Sequence, residues 1–243
     1  MSKIFKPIHC AVSIAMLLLQ LNHVCAQEKS GKAEVYLGGD LTTRFYWRGM
    51  LLSASPAFQP YLELNKGMVT LGAWGSYSFA KEPYQEIDVY LSIEHDNKRL
   101  TIYDYFSSID SLDVSHQYFD WSNTTTTHAV ELIAEWWDIM ESSFSLEAGV
   151  FIYGDDKDES NRSYYSAYFE PQYRFLIQDN QMKVFAGFTP VESLYATKAA
   201  FVNVGVTAER QLRINEHIEF PFTLMFAVNP HAESVFMVAT VSL

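Results

Sequence analysis

The stretch Glu34-Val35-Tyr36-Leu37-Gly38-Gly39-Asp40-Leu41-Thr42-Thr43-Arg44-Phe45-Tyr46-Trp47-Arg48 changes polarity at almost every step. Val35, Leu37, Gly39, Leu41, Phe45 and Trp47 share one parity. Glu34, Tyr36, Asp40, Thr42, Arg44, Tyr46 and Arg48 share the other. Successive side chains of a strand point to opposite faces, so the run has one apolar and one polar face. It is longer than an ordinary soluble strand. It suits a tilted strand with hydrocarbon on one side and water on the other.

The same beat continues to the last residue. Twelve strands are predicted near 33–48, 57–65, 68–79, 85–95, 99–106, 128–137, 143–153, 164–176, 182–189, 201–210, 218–228 and 234–243. Their connections alternate in length. Asn65–Gly67, Asp96–Lys98, Asp138–Ser142, Gln178–Gln181 and Gln211–Glu216 are short. Gly49–Pro56, Ser107–Thr127, Gly154–Ser163 and Pro190–Ala200 are longer, with Ala80–Tyr84 and Asn229–Glu233 completing that side. Short turns opposite longer loops are the pattern of an outer-membrane barrel, and an even strand count places both termini in the periplasm. A soluble sandwich has no reason to segregate its loops by length. Ten or fourteen strands remain open if the fifth strand or the Ser107–Thr127 region is misread.

The lipid-facing rows are expected to include Ile87, Val89, Leu91 and Ile93; Val130, Leu132, Ala134 and Trp136; Phe144, Leu146, Ala148, Val150 and Ile152. Val202, Val204, Val206 and Ala208, then Ile218, Phe220, Phe222, Leu224, Phe226 and Val228, extend them. Tyr46, Trp47, Trp121, Trp136, Trp137 and Tyr153 fall near strand ends, where amphipathic rings suit the headgroup level. Pro60, Pro171 and Pro221 interrupt strands and predict bulges, because each removes a ladder donor. Asp104 sits on the apolar parity and makes the fifth strand the weakest.

Residues 1–26 read as a cleaved export signal, leaving 27–243 as the barrel domain. Lys3 and Lys6 form the positive start, Ala11–Leu19 the apolar centre, and Val24-Cys25-Ala26 the cleavage site. The centre is too short for a membrane helix. Cleavage would remove Cys10 and Cys25, the two cysteines of the chain, and with them any disulfide, thiolate nucleophile or cysteine metal site. The net charge of −12 argues against nucleic acid as a partner. At the other end Val235, Met237, Ala239, Val241 and Leu243 share a face. A terminal strand ending on an apolar side chain is what the outer-membrane insertion machinery is expected to receive, although Phe is the usual last residue.

Gly38-Gly39-Asp40-Leu41, Arg44-Phe45-Tyr46-Trp47-Arg48-Gly49 and Phe58-Gln59-Pro60 with Leu62-Glu63-Leu64 resemble the opening of the TorF-type porin family. Leu71-Gly72-Ala73-Trp74-Gly75-Ser76 is similar to that family's Gly-x-Trp-x-Ser segment. Glu86-Ile87-Asp88-Val89-Tyr90 and His128-Ala129-Val130-Glu131 resemble two later strands, and Asn229-Pro230 resembles Bacteroidota members. The resemblance is densest over 36–137. It implies an outer-membrane barrel, porin-like by analogy, with no assigned substrate and no catalytic residues.

The polar parity carries Glu34, Asp40, Glu63, Glu86, Asp88, Glu94, Glu131, Glu135, Glu147, Glu170, Glu209 and Glu219, opposed by Arg44, Arg174 and Lys183. Isolated buried charges are costly, so these groups need water or partners. Arg44 and Arg174 are expected to fork onto Glu63, Asp88 or Glu170. The surplus predicts a negative lumen favouring cations or neutral polar solutes, lined by Arg44, Glu63, Asp88, Glu131, Glu170 and Arg174. The alternative is a non-conducting scaffold or adhesion barrel acting through its loops.

An enzyme is not expected. His95 and His128 share parity with Ile93 and Val130, His116 and His231 fall in loops, and His217 lies at a turn, so none reaches a lumen serine. No cofactor or metal is predicted. Asp155-Asp156-Lys157-Asp158-Glu159 reads as a solvated acidic loop without the glycine and terminal Glu of an EF-hand. Ser122–Thr127 either folds into the mouth or meets an outside partner. The expected surroundings are outer-membrane lipid and lipopolysaccharide, and the expected cargo small polar solutes.

Overall fold

The computed structural model describes residues 31–80, 84–109, 117–215 and 218–243. The expected export signal, His116 and His217 lie outside them. Among the described residues fourteen strands follow in chain order. They are β1 (Glu34–Thr42), β2 (Phe45–Trp47), β3 (Met50–Ser53), β4 (Ala57–Lys66), β5 (Val69–Ser78), β6 (Tyr84–His95) and β7 (Lys98–Ile109). After them come β8 (His128–Trp136), β9 (Phe144–Gly154), β10 (Ala167–Ile177), β11 (Asn180–Thr189), β12 (Ala200–Arg213), β13 (Glu219–Asn229) and β14 (Ser234–Ser242).

Twelve of these close into one antiparallel barrel in the order β1-β4-β5-β6-β7-β8-β9-β10-β11-β12-β13-β14, with β14 returning to β1. β2 and β3 pair only with each other. Closure leaves no free sheet edge, the requirement for backbone in hydrocarbon. The closing seam is short: Asp40, Leu41 and Thr42 face Ser242, Val241 and Thr240. On its other side β1 pairs with β4 along its whole length, from Glu34–Asn65 to Thr42–Ala57.

The outside is apolar. Leu62, Leu71, Phe226 and Met237 are 51, 50, 47 and 61% exposed, where a stacked sandwich would bury such rows. Exposed apolar surface on this scale is unstable in water but favourable in lipid, so the closed barrel fits an outer membrane. Buried residues instead collect on the inward parity, among them Thr101, Tyr168, Glu131 and Ser76.

The strand boundaries expected from alternation are met within a few residues, with instructive exceptions. The first run does not continue to Arg48. Its wall strand stops at Thr42, and the chain turns into the lumen as the β2–β3 hairpin. A hairpin strand also has period two, so alternation alone cannot show where the wall ends. Phe45 and Trp47 consequently face other lumen rings rather than lipid, and Tyr46 reaches Phe236 inside the barrel. The expected interface role of Tyr46 and Trp47 is therefore corrected.

The fifth strand is sound: Lys98–Ile109 pairs with β6 along its whole length and with β8 from Lys98 to Phe106, and Asp104 does face outward. The three prolines cause no register shift. Pro60 and Pro171 each keep a ladder position with one neighbour, opposite Gly39 and Leu146, and Pro221 faces Gln211. Register shifts in the wall fall instead at Val130/Glu131 and at Gly187/Phe188. The second one turns Val202 away from the lipid row predicted for it. Val202 is fully buried against Phe151, Tyr168, Tyr195 and Ala196.

Candidate functional site: a plugged acidic lumen

The hairpin turn is built on Arg48 (φ 45°) and Gly49 (φ +86°). Two successive left-handed residues are the geometry of a tight hairpin turn, and a side chain at Gly49 would overlap the Val202 carbonyl oxygen. Asn229 Nδ2 donates to the Gly49 carbonyl (3.1 Å), tying the tip to the end of β13.

Arg48 is the centre of the plug. Its Nη1 donates to Glu131 Oε1 (2.6 Å) and to the Tyr195 hydroxyl (2.8 Å). Its Nε and Nη2 both donate to Glu147 Oε1, at 3.2 and 2.7 Å. The guanidinium lies 4.8 Å from the Trp47 ring centroid and 4.6 Å from that of Tyr168. A fork donor between two carboxylates and two ring faces answers the cost of burying these charges, which neither acid could meet alone. Trp47, Met50, Tyr105, Ala129, Leu194 and Ala200 pack around the cluster containing Phe151 and Tyr195. The hairpin and the 190–199 loop thus fill the lumen at its long-loop end.

Towards the end where β1 begins and β14 ends, two chambers open in the lumen among the described residues. One, of about 670 Å³, is lined by Asp40, Glu63, Glu86, Asp88, Glu135 and Glu147 against Arg44, Arg48 and Arg99, with the hairpin as its roof. The other, about 650 Å³, includes Gln172, Arg174, Lys183 and Glu209. Within the first, Tyr90 donates to Glu63 (2.6 Å), and Arg99 joins Glu94 (2.7 Å) and Glu135 (3.4 Å). In the wall beside them, Glu170 takes bonds from the Tyr168 hydroxyl, from Gln172 (2.9 Å) and from Asn203 (2.7 Å).

The residues expected to line a pore are therefore distributed. Arg44, Glu63 and Asp88 reach the first chamber, Glu131 sits at its roof under Arg48, Glu170 is sealed in the wall, and Arg174 opens on the second chamber. The expected partnership fails: among the described residues neither Arg44 nor Arg174 makes an ion pair, and Arg48 and Arg99 do the forking. Alternation hides Arg48, because it reads as the end of a wall strand. Its sequence signal is Arg-Gly between two short apolar runs, which is hairpin chemistry.

Outside the wall, His128 is fully buried on the outer parity. Its Nδ1 lies 2.7 Å from Asp104 Oδ1, its Nε2 2.6 Å from the Tyr118 carbonyl, and Trp121 stacks on it at 3.9 Å. Asp104 thus has a polar partner on the apolar face. Ser122–Thr127 follows this outer cluster rather than entering the mouth. Asp120 caps it, and its carboxyl is held below the usual aspartate range by the Thr125 hydroxyl and the Ser122 amide. In the acidic loop Asp156 turns inward to Ser166 and Asp158 closes on Arg162 (2.7 Å), so their oxygens diverge. Among the described residues no cluster of acids and histidines has metal-holding geometry.

No family model matches this chain. No curated protein matches it either. A solved structure reported under "Unveiling the Mechanism Behind the in-meso Crystallization of Membrane Proteins" superposes on 86% of this chain and 83% of its own, with TM-score 0.40 and 6% identity. A superposition that loose identifies neither a family nor a function.

Proposed function

We propose that this is an outer-membrane barrel, its termini in the periplasm, that admits small cations or neutral polar solutes through a lumen held closed by the Arg48 hairpin. The observation that carries this reading is the first chamber: six carboxylates and three guanidiniums line it, two of the latter already neutralised. Low-dielectric walls focus that surplus into a negative potential, which concentrates cations and repels anions. Twelve strands lie between filled eight-stranded barrels and the open sixteen-stranded porins, so a single plugging hairpin is enough to decide passage.

The expected surroundings follow from the same reading: lipid and lipopolysaccharide outside, and the insertion machinery during assembly. The sequence resemblance to TorF-type porins agrees with it. A second reading, a closed scaffold working through its loops, is favoured by Phe119 and Trp121, which stand 88 and 45% exposed on the outer loop. Planar-bilayer recording under a KCl gradient separates them. The channel reading expects a reversal potential of cation-selective sign; an anion-selective sign, or silence in every variant, rejects it.

A further inference from the structure

We propose that Glu86 and Asp88, framed by Trp74, Tyr84, Tyr105 and Phe45, form a binding site for a small organic ammonium ion. The inference rests on the cation-favouring reading of the lumen and names a substrate class for it.

The two acids are i, i+2 on β6, so both point inward, and they are 8 and 4% exposed. Asp88 Oδ1 is buried with no hydrogen-bond partner. Such an atom carries a desolvation cost that something of opposite charge would relieve. The protein supplies no such group among the described residues. Arg48 is committed to Glu131 and Glu147, Arg99 to Glu94 and Glu135, and Arg44 pairs with no carboxylate.

The surroundings suit a cation with an apolar body. In the ladders Asp88 stands directly opposite Trp74 on one side and Tyr105 on the other. Phe45 descends from the hairpin to pack on Trp74 (5.5 Å) and Tyr84 (5.8 Å), while the Tyr84 hydroxyl bonds Glu86. Ring faces attract ammonium groups strongly once water is excluded, and their edges hold the attached carbon skeleton. A divalent metal wants a shell of oxygens that these residues do not form. Because Phe45 belongs to the hairpin, an occupied site also touches the plug.

The test is titration calorimetry of the detergent-solubilised full chain with phenethylamine, against 2-phenylethanol as its neutral analogue. Expected are saturable amine binding, no binding of the alcohol, and a loss of about tenfold or more in affinity for Asp88→Asn and for Glu86→Gln. Asp179→Asn, in an exposed turn, should bind as wild type does. Equal binding of the alcohol, full displacement by equimolar K⁺, or unchanged affinity in both Asp88→Asn and Glu86→Gln overturns the site. Cation-selective conductance in a protein that binds no amine sinks this inference and spares the channel. Amine binding without conductance in any variant does the reverse.

Discussion

Arg48 Nη1 sits 2.6 Å from Glu131 Oε1, joining a hairpin inside the lumen to a fully buried acid on β8, eighty-three positions along the chain. Removing Arg48 leaves the Glu131 charge buried and unpaired, and removing Glu131 leaves the guanidinium with Glu147 alone. That loss costs about 3–5 kcal/mol, whereas an apolar pair of similar size costs far less. Arg48→Ala and Glu131→Gln should therefore each lower the urea midpoint, and Arg48→Met with Glu131→Leu should recover most of the loss. Strictly additive losses in the double variant would show that the two do not act as a pair.

Gly49 carries the turn at φ +86°, with the Val202 carbonyl where a side chain would go. Gly49→Ala should leave the wall intact but undock the hairpin, at a cost of about 1–3 kcal/mol. Limited proteolysis checks this: cleavage between Thr43 and Pro56 should appear in the variant while heat-resistant barrel mobility on gels is kept. Wild-type protection in the variant would contradict the docking described.

The wall is legible in the sequence because its physics is local. Alternation marks all twelve barrel strands, the segregation of loop lengths and the outward rows from Ile87–Ile93 to Val235–Leu243. The plug is not, because its defining contacts span the chain: Arg48 with Glu147, Tyr46 with Asn203 at 2.6 Å, Gly49 with Asn229. Period-two patterning falters only at Thr43, a polar residue on the apolar parity, and resumes in phase, so it assigns Phe45 and Trp47 to lipid when their partners are Trp74 and Tyr105. It misplaces Val202 for a related reason: a one-residue bulge inverts a face and leaves no mark in composition. The acid surplus is visible in the sequence, but which cations answer it is decided by reach across the lumen.

The outer cluster makes a local prediction. The Tyr118 carbonyl only accepts, so His128 Nε2 carries a proton and donates to it, while Nδ1 meets Asp104. His128→Phe keeps a ring for Trp121 but loses both bonds. Amide exchange across 117–127 should quicken by about tenfold or more, in line with the loss of charge-assisted bonds, with exchange in β4 unchanged. Unaltered exchange in that loop would mean the histidine does not hold it.

Asp158 gives a pH prediction. Its carboxyl is held below the ordinary value of 3.8 by the backbone amide and side chain of Arg162. A depressed folded-state pKa contributes stability above the unfolded value, lost as pH falls through the folded one. The 158–162 turn should thus loosen only below about pH 4, read as faster exchange of the Ser160 and Arg162 amides. Asp158→Asn should loosen it at neutral pH. Loosening that begins near pH 6 instead would assign the effect to another group.

Single-channel recording of wild type beside Arg48→Ala tests the plug most directly. The expected result is a wild-type protein that is closed or briefly open, and a variant with long-lived, larger, cation-selective openings. Identical traces from the two proteins would mean that the Arg48 hairpin does not govern the lumen.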